Sequence, residues 1–431
     1  MPKVSQSAAN IKALKTELKS RGISPSRKKC PVKADIVLKN NVAVFCGKNN
    51  RNGQLSKADI ANDEKLKAAG WKVVRIQNKD IPTKLTGCAD RINMAVNGIR
   101  TIDLFAGIGG IRLGFERAYG KDDKTVFVSE WDANAQKTYT ANFHDPFEIA
   151  GDITKINEAD IPAFDICLAG FPCQAFSMAG QRKGFDDDYK GICRGTLFMD
   201  VARICEYHRP KVIFCENVKG LVIHDKGRTF KVIKGTFENL GYKVFHKVLN
   251  SKNFGVPQNR ERIYLVCFRN DIAPEHFEFP EVTDDTKTLA DIRQQGEIPA
   301  RYYLSDVYMQ TLINHKARHA AKGNGFGYEI REWDGIAGAI VCGGMGRERN
   351  LVRDAGVDTS ALVPTTHIKG TINKEGIRKM TPREWARLQG FPEDFKLTLA
   401  DTALYKQFGN SVTVNVIEAI AKKIKEVLEN G

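Results

Sequence analysis

The sequence predicts an α/β fold centred on a Rossmann-like sheet with helices on both faces. An apolar strand, Ile99 to Phe105, runs through the glycine-rich turn Ala106–Gly110 into a helix. Strand, glycine turn and helix in that order are typical of a Rossmann-type opening. Two more apolar strands, Phe164–Ala169 and Lys211–Cys215, flank an amphipathic helix from Thr196 to Tyr207. Alternating strands and helices of this kind favour a parallel sheet.

Charge is distributed unevenly along the 431 residues. Residues 1–98 hold 20 Lys and Arg against 7 Asp and Glu, a balance of +13, whereas the whole chain carries +15. The rest of the chain is therefore close to neutral. A basic module in front of a near-neutral body indicates a polyanionic partner, most simply nucleic acid. A solvated basic surface that only aids solubility is the alternative.

The composition also predicts the cellular compartment in which the protein works. The sequence contains no run of eighteen apolar residues, and its first residues lack the apolar core of a signal peptide. The ten cysteines are scattered, and none forms a C-x-x-C pair. This usage predicts reduced thiols in a cytoplasmic protein without a zinc site.

The basic N-terminal part is predicted to form its own small α/β unit. Its expected elements are a helix over Ile11–Arg21, strands over Ala34–Leu38 and Val42–Cys46 with a turn at Asn40-Asn41, a helix over Ser56–Ala69 and a strand over Trp71–Ile76. This order resembles the very-short-patch-repair endonuclease family. Gly47-Lys48-Asn49-Asn50 stands where that family carries its metal and cleavage residues, which leaves Asp35 as the remaining metal carboxylate. We expect residues 1–95 to be a degenerate nuclease-like domain that either binds DNA without cutting it or only supports the fold.

Three turns along the first half of the sheet carry residues suited to a nucleoside. The strand Thr125–Ser129 ends in Glu130, about twenty residues after the glycine turn, which is the spacing expected for an acid that holds ribose hydroxyls. Trp131 follows and could pack on an adenine face. Asp152 lies in a third turn and suits the adenine amino group. The order of these turns is typical of an adenosylmethionine site rather than a dinucleotide site.

A cysteine stands where the central apolar strand leaves the sheet. The strand runs into Gly170-Phe171-Pro172-Cys173, so that Cys173 lies at an edge where ligands bind in open α/β folds. A small buried thiol is the alternative reading. The loop Gln174–Asp188 is polar, basic and rich in glycine before it turns acidic, which indicates a mobile lid beside the thiol.

Six motifs in order resemble the DNA cytosine-5 methyltransferase family. They are Asp103–Gly110, Pro172-Cys173-Gln174, Glu216-Asn217-Val218, Gln258-x-Arg260-x-Arg262, Thr381–Pro392 and Gln407–Val412. The resemblance covers residues 99–428, with a variable stretch near 270–376. It implies an adenosylmethionine-dependent enzyme of the bacterial restriction-modification type, which methylates C5 of a flipped-out cytosine in a specific duplex sequence.

The resemblance assigns four catalytic residues, and their chemistry is consistent with it. Cytosine C5 is a weak nucleophile, and addition of the Cys173 thiolate at C6 would activate it. Glu216 can bond to N3 and donate a proton there if burial raises its pKa. Arg260 and Arg262, at i and i+2 on one predicted strand, can stabilise developing charge at O2. For the base that removes the C5 proton, a water and a side chain both fit.

The resemblance also assigns binding residues and no metal. Cofactor contacts are expected from Phe105, Gly107, Gly109, Glu130, Trp131, Asp152, Pro172, Leu197 and Asn410. DNA contacts are expected from Gln174, Ser177, Arg347 and Arg349, the two arginines as guanine readers in the variable stretch. Core packing is the alternative for Trp131 and Leu197.

These assignments divide the chain into four parts. We expect a nuclease-like domain at 1–95, a catalytic domain at 99–275, a target-recognition domain at 276–395 and a C-terminal return to the catalytic domain at 396–431. The implied partner is double-stranded DNA, bound by a monomer that has no membrane contact and works beside a cognate restriction endonuclease. A tRNA cytosine-5 methyltransferase and a catalytically idle DNA-binding regulator are the alternatives. The long variable stretch argues against the first, and the intact catalytic set argues against the second.

Overall fold

The computed structural model describes residues 6–47, 55–172, 188–189, 192–193, 197–283, 286–343, 346–363, 365 and 369–430. The α-helices are α1 (Gln6–Ser20), α2 (Lys57–Ala68), α3 (Leu85–Asn97), α4 (Gly110–Tyr119), α5 (Ala133–Asn142), α6 (Leu197–His208), α7 (Arg228–Asn239), α8 (Leu289–Ile292), α9 (Asp306–Ala321), α10 (Pro382–Leu388), α11 (Asp401–Asn410) and α12 (Val414–Asn430). The strands are β1 (Ile36–Leu38), β2 (Val42–Gly47), β3 (Lys72–Gln77), β4 (Ile99–Leu104), β5 (Asp123–Ser129), β6 (Ile166–Ala169), β7 (Asp188–Tyr189), β8 (Ile192–Cys193), β9 (Val212–Val218), β10 (Tyr242–Asn250), β11 (Gln258–Asn259), β12 (Glu261–Arg269), β13 (Ile330–Arg331), β14 (Ala337–Gly338), β15 (Leu351–Arg353) and β16 (Ile377–Lys379).

A six-stranded sheet forms the centre of the molecule, with strand order β10-β12-β9-β6-β4-β5. The four strands β5, β4, β6 and β9 are parallel, and β12 is antiparallel to both β9 and β10. Apolar residues of α6 and α7 pack on one face, and those of α4 and α12 pack on the other. The predicted Rossmann-like sheet with helices on both faces is confirmed.

The sheet has two chemically different edges. The glycine turn follows β4, Glu130 follows β5 and Phe171-Pro172 follow β6 shortly after its last residue, so all three lie at the carboxyl edge of the parallel strands. In open α/β sheets this is the edge at which ligands bind. The opposite, amino edge carries the starts of the same strands.

The C-terminal helix returns to the first helix of the sheet domain. Helix α12 packs on α4, and the contact is close at Gly114, where an added Cβ would lie 2.5 Å from Ile417 Cβ. The last helix of the chain therefore lies against the first strand-helix unit of the sheet domain. The helix begins at Val414.

Residues 6–97 form a unit with a separate sheet, β1-β2-β3, and a core of their own. Asn40 and Asn41 have φ of 56° and 57°, as a type I′ hairpin turn requires, and Ser56 caps α2 by accepting from the Asp59 amide. The predicted elements of this module are confirmed, and its likeness to a repair nuclease stays a prediction. Asp35 Oδ2 accepts the Cys46 amide at 2.6 Å, so one carboxylate oxygen is committed to the backbone. Residues 48–54 lie outside the described part.

A second core lies beyond the sheet, between the strand-helix units after β4 and β5 and the C-terminal third of the chain. The small sheet β13-β15-β16 belongs to this region. Helix α9 was not foreseen, because Leu312 is its one fully buried residue and its sequence shows little apolar periodicity. Within the described ranges, no helix is long and apolar enough to cross a membrane.

Candidate active site

A buried acid and a half-buried arginine form the centre of the site. Strand β9 carries Glu216 opposite Tyr264 of β12, and Arg262 lies two residues before Tyr264 on the same face. Arg262 Nε is 3.2 Å from Glu216 Oε1. Burial raises the pKa of the Glu216 carboxyl, and the nearby charges of Arg262 and Arg260 offset only part of that rise. A carboxyl whose pKa is raised in this way holds its proton more firmly than an exposed one and is suited to donate it to a substrate.

Asn217 links this pair to the exit of β6. Its side-chain amide donates to the Phe171 carbonyl at 3.2 Å, and its Oδ1 accepts the Val218 amide at 2.8 Å. Because β6 pairs with β9, with Ala169 opposite Cys215, the chain leaves β6 beside Glu216. Cys173 comes two residues after Phe171 and lies outside the described residues, as do Gln174, Ser177 and the predicted lid up to Asp187.

Arg260 does not share a strand with Arg262, and that prediction is wrong. Strand β12 begins at Glu261, and Arg260 occupies the break between β11 and β12. Its guanidinium is buried and donates to the carbonyls of Ile340 at 2.7 Å, Ser411 at 2.6 Å and Gly409 at 3.3 Å. Arg260 thus fastens two loops behind the site, while its charge still acts on Glu216.

Glu130 fixes the conformation of the glycine turn through hydrogen bonds to the backbone. Its Oε2 accepts the Gly107 amide at 2.7 Å and its Oε1 accepts the Asp132 amide at 2.7 Å. Phe105, Gly107 and Gly109 all have left-handed backbones, with φ of 57°, 56° and 84°. A left-handed conformation costs a residue such as Phe105 about 1–2 kcal/mol, so the surrounding structure must impose this turn. A Cβ added at Gly107 would meet no atom within 4 Å, which leaves space above the turn for a ligand.

The remaining predicted cofactor residues fall into two groups. Trp131 is 48% exposed at the carboxyl edge, so a face of its ring can accept a ligand, and Asn410 is exposed at the end of α11. Asp152 Oδ1 accepts from the Thr154 amide and hydroxyl, which shapes the third turn. Leu197 is instead buried in the sheet core, and Pro172 is half-buried.

A buried polar network behind the glycine turn was missed by sequence reasoning. Arg112 on α4 binds Asp145 through two bonds of 2.5 and 2.8 Å and donates to the Tyr139 hydroxyl at 3.0 Å. That hydroxyl lies 3.4 Å from Asp103 Oδ2, and burial raises the pKa of Asp103 to about 8. Asp103 is the first residue of the Asp103–Gly110 motif, and its place there was the sequence signal for this network. The network links α4 to α5 on either side of the turn that contains Gly109.

The two predicted guanine readers are both stacked on aromatic rings. Arg347 lies over Tyr405, with 5.4 Å between its Cζ and the ring centroid, and Arg349 lies over Phe326 at 5.3 Å. Both side chains are half-buried. Stacking of this kind limits the directions in which a guanidinium points.

Comparison with known proteins gives a consistent result. Residues 99–426 match the family model described as C-5 cytosine-specific DNA methylase. The chain is 57% identical over 334 residues to the type II methyltransferase M.HpaII of Haemophilus parainfluenzae, which covers 76% of this chain and 90% of the relative. It is 40% identical over 331 residues to the type II methyltransferase M.HhaI of Haemophilus parahaemolyticus, which covers 76% of this chain and 95% of the relative.

Solved structures agree on the fold. The Entamoeba histolytica methyltransferase EhMeth superposes with a TM-score of 0.58 at 20% identity, over 77% of this chain and 98% of that one. The S. pombe Dnmt2 methyltransferase gives a TM-score of 0.57 at 18% identity, over 76% and 98%. Residues 6–97 lie outside the family match. The chain belongs to the C-5 cytosine-specific DNA methylase family and is a DNA cytosine-5 methyltransferase.

Proposed function

We propose that the enzyme works through a covalent bond between the Cys173 sulfur and cytosine C6, with Glu216 as the proton donor. The observation that carries the proposal is the buried Glu216–Arg262 pair beside the exit of β6. A carboxyl whose pKa is raised by burial can hold a proton against N3 of a flipped cytosine. The Asn217 bond to Phe171 holds the chain two residues before the nucleophile.

The steps follow from this arrangement. Attack of the Cys173 thiolate at C6 pushes electron density toward N3 and O2, and the Glu216 proton neutralises N3. Arg262 holds Glu216 and stabilises charge at O2. The resulting enamine carbon, C5, takes the methyl group. Loss of the C5 proton to a base and return of the N3 proton to Glu216 then allow the Cys173–C6 bond to break, which restores the thiolate and the protonated acid.

The residues around the glycine turn fit S-adenosylmethionine. That cofactor supplies an electrophilic methyl group when bound. Gly107 leaves space above the turn for the cofactor. Glu130, directly after β5, would bind the ribose hydroxyls, and the exposed ring face of Trp131 would contact the adenine. Asp152, Phe105, Gly109, Pro172, Leu197 and Asn410 complete the proposed set. Leu197 supports the pocket wall from within the core.

The proposed substrate is a specific sequence in duplex DNA, bound by one copy of the chain that acts beside a cognate restriction endonuclease. Gln174 and Ser177 would contact the DNA from the loop after Cys173. Arg347 and Arg349 would read guanine from the target-recognition region, where Tyr405 and Phe326 hold their planes. The proposed domain boundaries near residues 95, 275 and 395 assign catalysis and target recognition to different parts of the chain.

The experiment uses Cys173→Ala with Cys30→Ala as the matched control. Incorporation of labelled methyl groups into plasmid DNA should fall by about 10,000-fold or more in Cys173→Ala, while Cys30→Ala stays active. Duplex DNA carrying 5-fluorocytosine should form a denaturation-resistant complex with the control and none with Cys173→Ala, since fluorine cannot leave as a proton does. Turnover by Cys173→Ala near the control rate would contradict the covalent mechanism.

A further inference from the structure

We infer that the N-terminal module, residues 6–97, carries a second surface for duplex DNA, separate from the catalytic site. The surface is formed by Lys12, Lys15 and Lys19 on the outer side of α1 and is called the lysine face below. The module lies outside the part of the chain that matches the methylase family. DNA binding by this module would therefore be a function separate from the methyl transfer carried out by residues 99–426.

The three lysines form a single row. Positions 12, 15 and 19 are spaced i, i+3 and i+7, so they fall within one narrow sector of a helix that turns 100° per residue. Leu14 and Leu18 lie on a neighbouring sector of the helix, roughly 110° from the row on average, and are buried against the module's core. At 1.5 Å per residue the row is about 10 Å long, which spans about three phosphates of one DNA strand at 3.4 Å per base pair.

The charge of the lysine face is not compensated. Among the described residues, Lys12, Lys15 and Lys19 form no ion pair, and all three are exposed. Glu17 is the one acid on α1, and it pairs with Arg21 at 2.7 Å. Three lysines close together without acidic partners repel one another and gain when a polyanion binds.

Helix α2 of the same module shows the contrasting arrangement. It also carries three exposed lysines, but Asp59, Asp63 and Glu64 lie on the same helix. Two of these acids bind Arg75, Asp59 at 3.2 Å and Asp63 at 2.8 Å. The three acids of α2 equal its three lysines in number, whereas α1 carries Glu17 alone with its three lysines.

The module is fastened to the edge of the central sheet that faces away from the catalytic residues. Asp90 on α3 binds Arg21 at 2.6 Å within the module and Arg269 at 3.2 Å in the sheet domain. Lys72 binds Asp122 at 2.5 Å. Arg269 ends β12 and Asp122 precedes β5, so both attachment points lie at the amino edge. Glu216 and the glycine turn lie at the carboxyl edge, so the module is attached at the opposite end of the same strands.

Duplex DNA is the polyanion that these features favour. Helix α1 contains no aromatic residue, so it offers no ring on which unpaired bases could stack, as single-strand binders require. A lysine ammonium is a compact point charge that contacts phosphates in any sequence, so we expect this binding to be independent of sequence. The enzyme's substrate is itself long duplex DNA. The lysine face would hold a second segment of that DNA while the catalytic site engages the first.

The first experiment compares two triple variants of the full-length protein on a random-sequence duplex. Lys12→Ala/Lys15→Ala/Lys19→Ala should flatten the plot of log affinity against log salt by about 2 to 3, or about 0.9 for each phosphate contact. Lys57→Ala/Lys65→Ala/Lys67→Ala removes the same charge from α2 and should leave the slope at the wild-type value. An unchanged slope in the α1 variant, or an equal change in both variants, would overturn the proposal. Melting curves confirm that both variants fold.

The second experiment tests whether the surface is separate from the catalytic site. Bisulfite sequencing of methylated plasmid first identifies a target site, which is then placed in a duplex of about 15 base pairs, or roughly 50 Å. The α1 variant should show a wild-type KM on this short duplex, a raised KM on plasmid and an unchanged kcat on both. An equal rise of KM on both substrates would place the lysines within the catalytic footprint and contradict a second site.

Discussion

Substitutions of Arg260 and Arg262 should have different effects, although the two residues lie two positions apart in one motif. Arg260 is buried and donates to three main-chain carbonyls, whereas Arg262 lies beside Glu216. Arg260→Ala should therefore lower the stability of the fold. Arg262→Lys should lower the rate of methyl transfer with little change in stability.

The size of the first effect can be worked from the contacts. The bonds to Ile340 and Ser411, at 2.7 and 2.6 Å, are short and charge-assisted, and the one to Gly409 is longer at 3.3 Å. A hydrogen bond to a charged group contributes about 1.5–3 kcal/mol, and its loss leaves a buried carbonyl without a donor. Two strong bonds and one weak bond give a loss of roughly 3 to 5 kcal/mol, or about 5 to 10 °C in Tm.

The assay pairs thermal unfolding with methyl-transfer kinetics on both variants. Arg262→Lys keeps the positive charge but loses the planar fork, and kcat should fall by about 100- to 1,000-fold. Its Tm should stay within about 2 °C of wild type, because lysine keeps the positive charge beside Glu216 and Arg262 is not one of the fully buried residues. If Arg260→Ala melts like the wild type and loses only kcat, its three carbonyl bonds do not hold the loops, and the structural reasoning is refuted.

Further predictions concern the glycine turn and the network behind it. Burial raises the pKa of Asp103 to about 8, so its stabilising effect is complete below its ordinary pKa near 4 and is lost as pH rises through about 8. Asp103→Asn should remove this dependence, and its Tm should gain on wild type between about pH 5 and pH 8; parallel curves would contradict this. Gly109→Ala combines a φ of 84° with a Cβ placed 2.2 Å from Phe143 and should cost about 2 to 4 kcal/mol, measured by denaturant unfolding. Gly107→Ala meets no neighbouring atom and should cost about 1 kcal/mol while raising the KM for S-adenosylmethionine about tenfold or more; an unchanged KM would place the cofactor elsewhere.

The sequence predicted the parts of the site that depend on local order and failed where distant segments meet. The strand, turn and helix around Gly107 follow from neighbouring residues, and the structure has them as expected. The role of Arg260 could not be foreseen, since alternation along a strand applies only within the strand, and β12 begins one residue later. Two of its carbonyl partners, Ile340 and Gly409, are 80 and 149 residues away in the chain. Helix α9 was missed for a related reason, because most of its side chains face away from any core.

The two edges of the central sheet explain how an extra module can be added to this enzyme without disturbing its chemistry. The carboxyl edge carries the glycine turn, Glu130 and the Glu216–Arg262 pair. The amino edge carries the buried pair of Lys211 and Asp165, 2.5 Å apart, which lies next to Asp90 of the module. If the lysine face binds duplex DNA as proposed, a module fixed there adds its charge at the edge of the sheet opposite the Glu216–Arg262 pair. On that proposal, the uneven charge of the chain reflects a division between sequence-independent attraction at the amino edge and base-specific chemistry at the carboxyl edge.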